Sequence, residues 1–266
     1  MQKSSLLGLP LGHTRSLKAT LSFVRDCLSK HQPCIVSFIN PFAFHHRLVD
    51  QAYASALWHF DLILPDGIGV VKALRWLNGI EFERQSFDAT SLFHPVLNHL
   101  NLSKHSLCIV GGHPGTAARA EEKMRTIYPD VDYLGSLDGF RDFDEIVEWV
   151  KDRNPDVVLV GMGAPIQESI LLRLKLDGFS GVGFTCGGFL DQFVLAPQYY
   201  PTLIDRFELR WLYRLMSEPR RLGRRYLIFY QTFILDVFWT LISRLRGRRI
   251  EQSHLWLARR YARNGG

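Results

Sequence analysis

The sequence predicts an α/β fold, a parallel Rossmann-like sheet with helices on both faces, followed by an all-helical basic C-terminal appendage. Two observations predict the sheet: short apolar runs recur along residues 1–195, and amphipathic helical patterns lie between them. A third observation defines the appendage, because strand-like runs stop near Ala196 and only helical patterns follow. With 47% hydrophobic and 22% charged residues, the chain can bury a sizeable core.

Strands are predicted at Cys34–Ile39, Asp61–Leu64, Ser106–Val110, Val131–Leu134, Val157–Gly161 and Gly181–Phe184. These runs contain few polar residues, which is typical of strands that are buried on both faces. Helices are predicted near Ser16–Ser29, Phe42–Trp58, Gly67–Leu77, Ala89–Leu100, Thr116–Ile127, Phe143–Arg153 and Gln167–Lys175. In such sheets ligands bind beyond the carboxyl ends of the strands, so a functional site is expected on the loops that follow them.

The predicted organisation is an α/β domain over residues 1–195 and a helical appendage over residues 196–266. Between Arg206 and Arg263 the chain carries 14 arginines, no lysine and 4 acidic residues, a net charge of +10, whereas the rest carries −4. This asymmetry predicts an anionic partner for the appendage. Helices are predicted there near Pro201–Met216, Pro219–Ser243 and Ile250–Arg263.

The apolar stretch Tyr226–Ser243 is flanked by arginines on both sides, and a polar stripe runs along it at helical spacing. Its members are Thr232, Asp236, Thr240 and Ser243. A charged Asp at mid-span would cost about 3 kcal/mol in a bilayer. The pattern therefore favours an amphipathic helix that lies in the membrane interface with arginines on lipid phosphates. An ordinary core or oligomer-forming helix is the alternative.

The clearest candidate for chemistry is Asp66, in the segment Pro65-Asp66-Gly67 between an apolar strand and a helix. A carboxylate at this position can act as a general base for a hydroxyl nucleophile. The alternative is that Asp66 only caps the helix.

Two glycine-containing turns follow other strands. In the first, Gly111 and Gly112 precede a helix, an arrangement that exposes backbone amides to phosphate, although a tight turn would also favour glycine. In the second, a Gly-Met-Gly-Ala-Pro segment leads to Gln167 and Glu168 at a helix start. Gln167 can hydrogen-bond a base or a sugar, so this segment is a candidate ligand loop.

Several classes of protein are disfavoured by the sequence. Asp142-Phe143-Asp144 resembles a DxD metal motif, but its place at a predicted helix start favours first-turn acids, so no metal is expected. No P-loop, complete GxGxxG pattern or GxSxG elbow is present, and no cofactor is predicted. The four cysteines form no CxxC pair and predict reduced, buried thiols in a cytoplasmic protein without a signal peptide.

The segment from Trp211 to Arg225 concentrates arginines on helical turns. Arginine binds phosphate in a bidentate manner, and such a cluster can offset the charge on a departing pyrophosphate. Contact with membrane phosphates alone is the alternative. A nucleic-acid partner is not expected, because neither aromatic platforms interleaved with the basic residues nor a helix-turn-helix is evident.

Taken in order, these segments resemble the WecG/TagA/CpsF glycosyltransferase family over roughly residues 35–228. The matching segments are Pro65–Gly69, Gly111-Gly112 with Pro114-Gly115, Tyr128-Pro129, Asp138–Phe140, Gly161–Glu168, Ala196-Pro197 and Glu208–Arg225. The resemblance implies an inverting, metal-independent transferase that moves a hexose from a UDP-sugar to a polyprenyl-pyrophosphate-linked saccharide. It also implies action at the cytoplasmic face of the membrane, with peripheral attachment through the appendage.

The resemblance assigns roles to individual residues. Asp66 stands where the family's proposed catalytic base stands, and Asn40, Gln167 and Asp191 match positions of donor-pocket contacts. Arg214, Arg221 and Arg224 match appendage arginines that reach over the site and hold the pyrophosphate.

Two departures bear on the donor sugar. The segment Arg84–Asp88 lacks a glycine that many N-acetylmannosaminyl members carry, and Gly187–Asp191 also differs from the commoner pattern. The chain is similar to exopolysaccharide members of the xanthan and acetan type, which implies a glucose-type donor beside the N-acetylmannosamine type. The rival interpretations are an NAD-dependent nucleotide-sugar epimerase or dehydrogenase, and a non-catalytic nucleotide-binding membrane adaptor. The sequence leaves homo-oligomer formation open.

Overall fold

The computed structural model describes residues 4–195, 210–217, 223 and 230–246. The strands are β1 (Ser4–Leu6), β2 (Leu9–Leu11), β3 (Cys34–Ile39), β4 (Leu62–Pro65), β5 (Ser106–Gly111), β6 (Asp132–Leu137), β7 (Val157–Gly161) and β8 (Val182–Thr185). The helices are α1 (Leu17–Ser29), α2 (Pro41–Val49), α3 (Gln51–Leu57), α4 (Ile68–Asn78), α5 (Phe93–Ser103), α6 (Thr116–Ile127), α7 (Phe143–Arg153), α8 (Ile166–Leu176), α9 (Phe189–Leu195), α10 (Arg210–Ser217) and α11 (Tyr230–Leu245).

The six predicted strands form one parallel sheet in the order β4-β3-β8-β7-β5-β6. Every residue of β7 is buried, and β3 is buried at five of its six positions. These runs are apolar because helices cover both faces of the sheet, as parallel sheets require. The predicted fold class is therefore confirmed.

The helices divide between the two faces of the sheet. One apolar core joins the sheet to α2, α3, α4, α7, α8 and α11, and the other joins it to α1, α5, α6 and α9. The chain leaves β5 towards one face, into α6, and leaves β7 towards the other face, into α8. Since β5 and β7 are neighbours, the topological switch point of the sheet lies between them, and the crevice in which such sheets bind ligands is expected at the carboxyl ends of these two strands.

Two local features differ from the prediction. The helix predicted over Phe42–Trp58 is two helices, because Asp50 leaves the helical conformation and its Oδ1 accepts a hydrogen bond from the Tyr53 amide at 2.9 Å. The second is the β1–β2 hairpin, whose turn has positive φ at Leu7 and Gly8. Strands of three residues carry too little periodicity to be recognised from sequence.

The C-terminal helices lie within two of the predicted ranges. Helix α10 falls in Pro201–Met216 and α11 in Pro219–Ser243 with a short extension, whereas the helix predicted at Ile250–Arg263 lies outside the described residues. Residues 196–209 are also outside them, so the domain boundary near Ala196 stays a prediction. Within the described part of the chain, no helix has both the length and the hydropathy needed to cross a bilayer.

Helix α11 packs on α2 and α4. The predicted polar stripe does not face solvent: Thr232, Asp236 and Thr240 are all buried against the α/β domain. Apolar side chains lie on the outer side instead, with Ile234 62% and Phe238 54% exposed. The helix is thus amphipathic as predicted, but its polar side is the one that contacts the protein.

Candidate functional site

Asp66 and Asn40 lie side by side at the carboxyl edge of the sheet. Strands β3 and β4 pair with Ile39 opposite Pro65, so the residues that follow each of them are neighbours. The Asp66 amide donates to the Ile39 carbonyl at 2.8 Å, which continues the ladder by one bond. The Asn40 Oδ1 accepts from the Phe42 amide at 3.0 Å and caps α2.

Asp66 is not the cap of the helix that follows it. The N-cap of α4 is Gly67, which has φ +94° and has no side chain with which to cap the helix. The Asp66 side chain is 30% exposed, and its Oδ1 lies 3.2 Å from Nη2 of Arg84. The capping alternative is therefore wrong, and an accessible, ion-paired carboxylate stands at the end of β4.

Arg84 was not predicted as a site residue. Its Nη2 also contacts Asp88 Oδ2 and Ser86 Oγ, both at 2.8 Å, so one guanidinium joins Asp66 to a second carboxylate. Burial by itself would raise the pKa of Asp88, but the Arg84 charge and hydrogen bonds from Thr90, Ser86 and Arg84 outweigh it and bring the pKa to about 2. The sequence contains one signal for this pair, an Arg followed four residues later by an Asp. This spacing is common on protein surfaces and does not by itself indicate a functional site.

The glycines after β5 are required by close packing of the backbone. Gly111 pairs with Gly161, and a Cβ at Gly111 would lie 2.2 Å from the Gly161 carbonyl oxygen. A Cβ at Gly112 would lie 2.7 Å from the side chain of Thr116, at the start of α6. Because neither glycine has a side chain, the backbone of this loop can pack closely against Gly161 and Thr116 beside the crevice between β5 and β7. The loop ends at Gly115, the N-cap of α6, which has no side chain with which to cap this helix.

Gln167 and Glu168 hold the site loops from inside the protein. The Gln167 Oε1 accepts from the amides of Gly163 and Gly187, at 3.2 and 3.0 Å, and so ties the loop after β7 to the loop after β8. The Gln167 Nε2 donates to Glu168 Oε1 at 3.0 Å, and Ser37 Oγ donates to the same oxygen at 2.9 Å. Gln167 is 7% and Glu168 1% exposed. Burial raises the pKa of Glu168, against the effect of these two hydrogen bonds.

The structure describes the remaining predicted site residues to different extents. Asp191 is half-buried in the first turn of α9, which follows β8. Arg214 belongs to α10, but the structure describes only its backbone. Arg221 and Arg224 lie outside the described residues.

The predicted residues that are described thus follow one edge of the sheet. Asp66 and Asn40 follow β4 and β3, Asp191 follows β8, and the glycine and glutamine loops follow β5 and β7. At roughly 4.8 Å per strand, the distance from the end of β4 to the β5–β7 crevice is about 17 Å. The edge therefore has room for two substrates placed end to end.

The acids of the DxD-like segment lie at a helix start, as predicted. Asp142 is the N-cap position of α7, and Asp144 lies in its first turn. Among the described residues, no group of three or more His, Cys, Asp or Glu side chains is placed to hold a metal ion. The four cysteines are free, and burial raises the pKa of Cys108 to about 12, which keeps that thiol protonated and unreactive.

A Rossmann-like parallel sheet with an accessible carboxylate and several loops at the carboxyl ends of its strands is the arrangement in which open α/β proteins bind ligands. A model described as the glycosyl transferase WecG/TagA/CpsF family matches residues 4–247. The chain belongs to this family and is a glycosyltransferase.

Two curated relatives align with most of the chain. The UDP-Gal:alpha-D-GlcNAc-diphosphoundecaprenol beta-1,4-galactosyltransferase of Shigella boydii is 27% identical over 223 residues, which are 82% of this chain and 92% of the relative. The N-acetylglucosaminyldiphosphoundecaprenol N-acetyl-beta-D-mannosaminyltransferase of Bacillus subtilis (strain 168) is 27% identical over 231 residues, 84% of this chain and 87% of the relative. The two relatives differ in the sugar that their names specify.

Proposed function

We propose that this chain transfers a hexose, of the glucose or N-acetylmannosamine type, from a UDP-sugar to a polyprenyl-pyrophosphate-linked saccharide. The reaction inverts the anomeric configuration, needs no metal ion and serves bacterial cell-surface or exopolysaccharide biosynthesis. The observation that carries the proposal is the Asp66 carboxylate, ion-paired with Arg84 and beside Asn40, at the carboxyl edge of the sheet, where such folds bind ligands. The relatives' names, with a UDP-galactose donor and diphosphoundecaprenol-linked acceptors, support both substrate classes.

The donor occupies the crevice between β5 and β7. The N-terminus of α6 offers backbone amides to the pyrophosphate, and the narrow loop of Gly111 and Gly112, in which the Gly112 amide donates to the Gly161 carbonyl at 3.0 Å, lets the pyrophosphate approach. At the outer rim, the rings of His113 and Phe140 stack with centroids 5.1 Å apart, and Phe140 is 68% exposed, so a flat apolar surface is available to the uracil ring. The sugar then extends over β8 towards Asp191 and Asn40.

The reaction is a direct displacement at the anomeric carbon. Asp66 takes the proton of the acceptor hydroxyl, whose oxygen attacks the carbon opposite the UDP as the bond to the UDP oxygen breaks. The negative charge that develops on the leaving pyrophosphate is offset by Arg214, Arg221 and Arg224 of the appendage. Gln167 and Glu168 contribute by holding the loops after β7 and β8 in place.

Release of UDP from a panel of UDP-sugars, with a polyprenyl-pyrophosphate saccharide and EDTA present, tests this function. We expect release from one donor, only when the acceptor is present, and with the opposite anomeric configuration in the product. Release that EDTA abolishes would contradict metal independence. UDP binding without release from any donor, across a broad acceptor panel, would instead favour the non-catalytic adaptor.

The exposed apolar side of α11 supports attachment to a membrane surface. We expect the double variant Ile234→Ser/Phe238→Ser to bind anionic phospholipid vesicles at least about tenfold more weakly, since these partly exposed side chains would lie in the headgroup region. Vesicle co-sedimentation of the full chain measures this. The matched control is Leu102→Ser/Leu176→Ser, which removes two exposed leucines from α5 and the end of α8. Equal binding of both double variants would show that α11 does not contact lipid.

A further inference from the structure

Helix α11 is held on the α/β domain by a buried ion pair. The Arg47 Nη2 of α2 lies 2.8 Å from the Asp236 Oδ2 of α11, and the two side chains are 9% and 3% exposed. Thr240 Oγ1 donates to the Asp236 carbonyl at 2.7 Å, within the same buried stripe. Two charges removed from water gain little stability over an apolar pair of similar volume, but in some proteins such a pair fixes one arrangement of the partners.

The ion pair determines which side of α11 faces the protein. Asp236 can contact Arg47 only when the stripe of Thr232, Asp236 and Thr240 points inward. The apolar side chains of Ile234 and Phe238 are then directed outward. The same rotation buries Phe233 and Val237 in the apolar core, so the ion pair and these two side chains favour one arrangement.

The helices that α11 contacts are those that begin at the candidate site. Asn40 caps α2, and Asp66 immediately precedes the N-cap of α4. The ring of Phe233 lies 4.7 Å from the ring of Phe44, in the first turns of α2. The same ring lies 3.8 Å from the position of a Cβ at Gly69, three residues after Asp66. A single side chain of α11 therefore contacts the first turns of both helices.

We propose that α11 is a positioning element of the active site, and that the Arg47–Asp236 pair fixes its rotation and register so that Phe233 holds the first turns of α2 and α4. This inference rests on the proposed function for its effect on turnover, because Asn40 and Asp66 stand at those turns. Arg47 and Asp236 are positioning residues: both side chains are buried in their mutual contact, so they act through the two helices.

Turnover of the full chain, with saturating UDP-sugar and a detergent-solubilised acceptor, provides the first test. We expect Asp236→Asn and Arg47→Gln each to lower kcat about tenfold or more, because small displacements at a reacting centre have large effects. The KM for the UDP-sugar should change less than about threefold, since its nucleotide lies over β5 and β7. The control Asp177→Asn breaks the surface ion pairs that this residue, at the end of α8, forms with Arg173 and Lys151, and it should leave kcat unchanged.

The double variant Arg47→Met/Asp236→Leu separates the effect of the position of α11 from the effect of the two charges. An apolar pair can restore the packing without the ions, so we expect it to recover most of the lost kcat. Failure to recover, in a folded protein whose amide exchange at the starts of α2 and α4 matches the wild type, would mean that the charges themselves act in the reaction and would overturn the positioning role. The positioning role would also be overturned if kcat in Asp236→Asn fell only in proportion to the amount of folded protein that is lost.

Amide hydrogen exchange tests the inference without any turnover. In Asp236→Asn we expect exchange at least about tenfold faster in residues 42–46 and 68–72, at the starts of α2 and α4, with no change at the starts of α6 and α8. Unchanged exchange at α2 and α4 would overturn the proposal. This measurement also separates the two ideas: a chain that transfers no sugar refutes the proposed function, whereas the exchange rates decide the role of α11 independently.

Discussion

Replacement of Asp66 by Asn is expected to abolish turnover while UDP-sugar binding and folding are retained. The amide has nearly the shape of the carboxylate but cannot accept the acceptor's proton, and general base catalysis contributes about 10²–10⁴-fold to such reactions. The proposed nucleotide crevice lies about 17 Å away along the sheet at roughly 4.8 Å per strand, so we expect the affinity for UDP to be unchanged. Steady-state UDP release and calorimetric titration with UDP measure the two quantities.

A matched control for Asp66→Asn lies at the other end of β4. Asp61 is a carboxylate just before the amino end of β4, paired with Lys175 at 2.8 Å, and Asp61→Asn makes the identical chemical change at the opposite edge of the sheet. It should leave kcat per folded molecule unchanged. Near-normal turnover in Asp66→Asn would remove Asp66 from the role of base.

Replacement of Arg84 by Gln should have the next largest effect, about a 10²-fold lower kcat, because misplacement of a reacting group by about 1 Å has consequences of that size. Arg84 holds the Asp66 carboxylate at 3.2 Å and is itself held by Asp88 at 2.8 Å. Arg84→Lys keeps the charge but loses the planar fork that contacts both carboxylates, so its kcat should fall between those of the wild type and Arg84→Gln. Steady-state kinetics with both substrates varied give the required kcat and KM values.

The distribution of the loss between kcat and KM identifies the role of Arg84. A lower kcat with little change in either KM indicates that Arg84 positions the base, whereas a higher KM with kcat unchanged would mean that it binds substrate and would contradict positioning.

Asp88 provides a further check through the pH dependence of stability and turnover. Its pKa is lowered from 3.8 to about 2, so its contribution to stability is complete above about pH 4 and is lost as the pH falls through 2. Titration of Asp88 should therefore leave kcat constant across neutral pH.

These predictions describe a site divided between two sides of one edge. The acceptor side, at β3 and β4, depends on side chains: Asp66, its partner Arg84, and Asn40. The donor side, at β5 and β7, depends on backbone, with glycines that permit close approach and with Gln167 joining two loops. Helix α11 contacts the acceptor side and exposes its apolar side chains outward, so the acceptor side is also where a lipid-linked substrate would approach.

The sequence by itself determined the parallel sheet, its six strands and the loops where chemistry was expected. It could do so because buried parallel strands must be apolar throughout, and because ligands of such sheets bind where the strands end. The segment Pro65-Asp66-Gly67 identified the carboxylate for the same local reason. The family resemblance added the reaction class, which the match over residues 4–247 supports.

Only the tertiary structure decided the contacts between residues distant in the chain. Arg84 reaches Asp66 across 18 positions, and Arg47 meets Asp236 across 189, so no local pattern could reveal either pair. The same reason explains α11: its periodicity showed two faces, but which of them packs on the protein depends on the buried Arg47 that receives it. Gln167, predicted from its loop as a ligand contact, proved to have its Oε1 occupied by two backbone amides, because the register of β7 and β8 brings Gly163 and Gly187 together there.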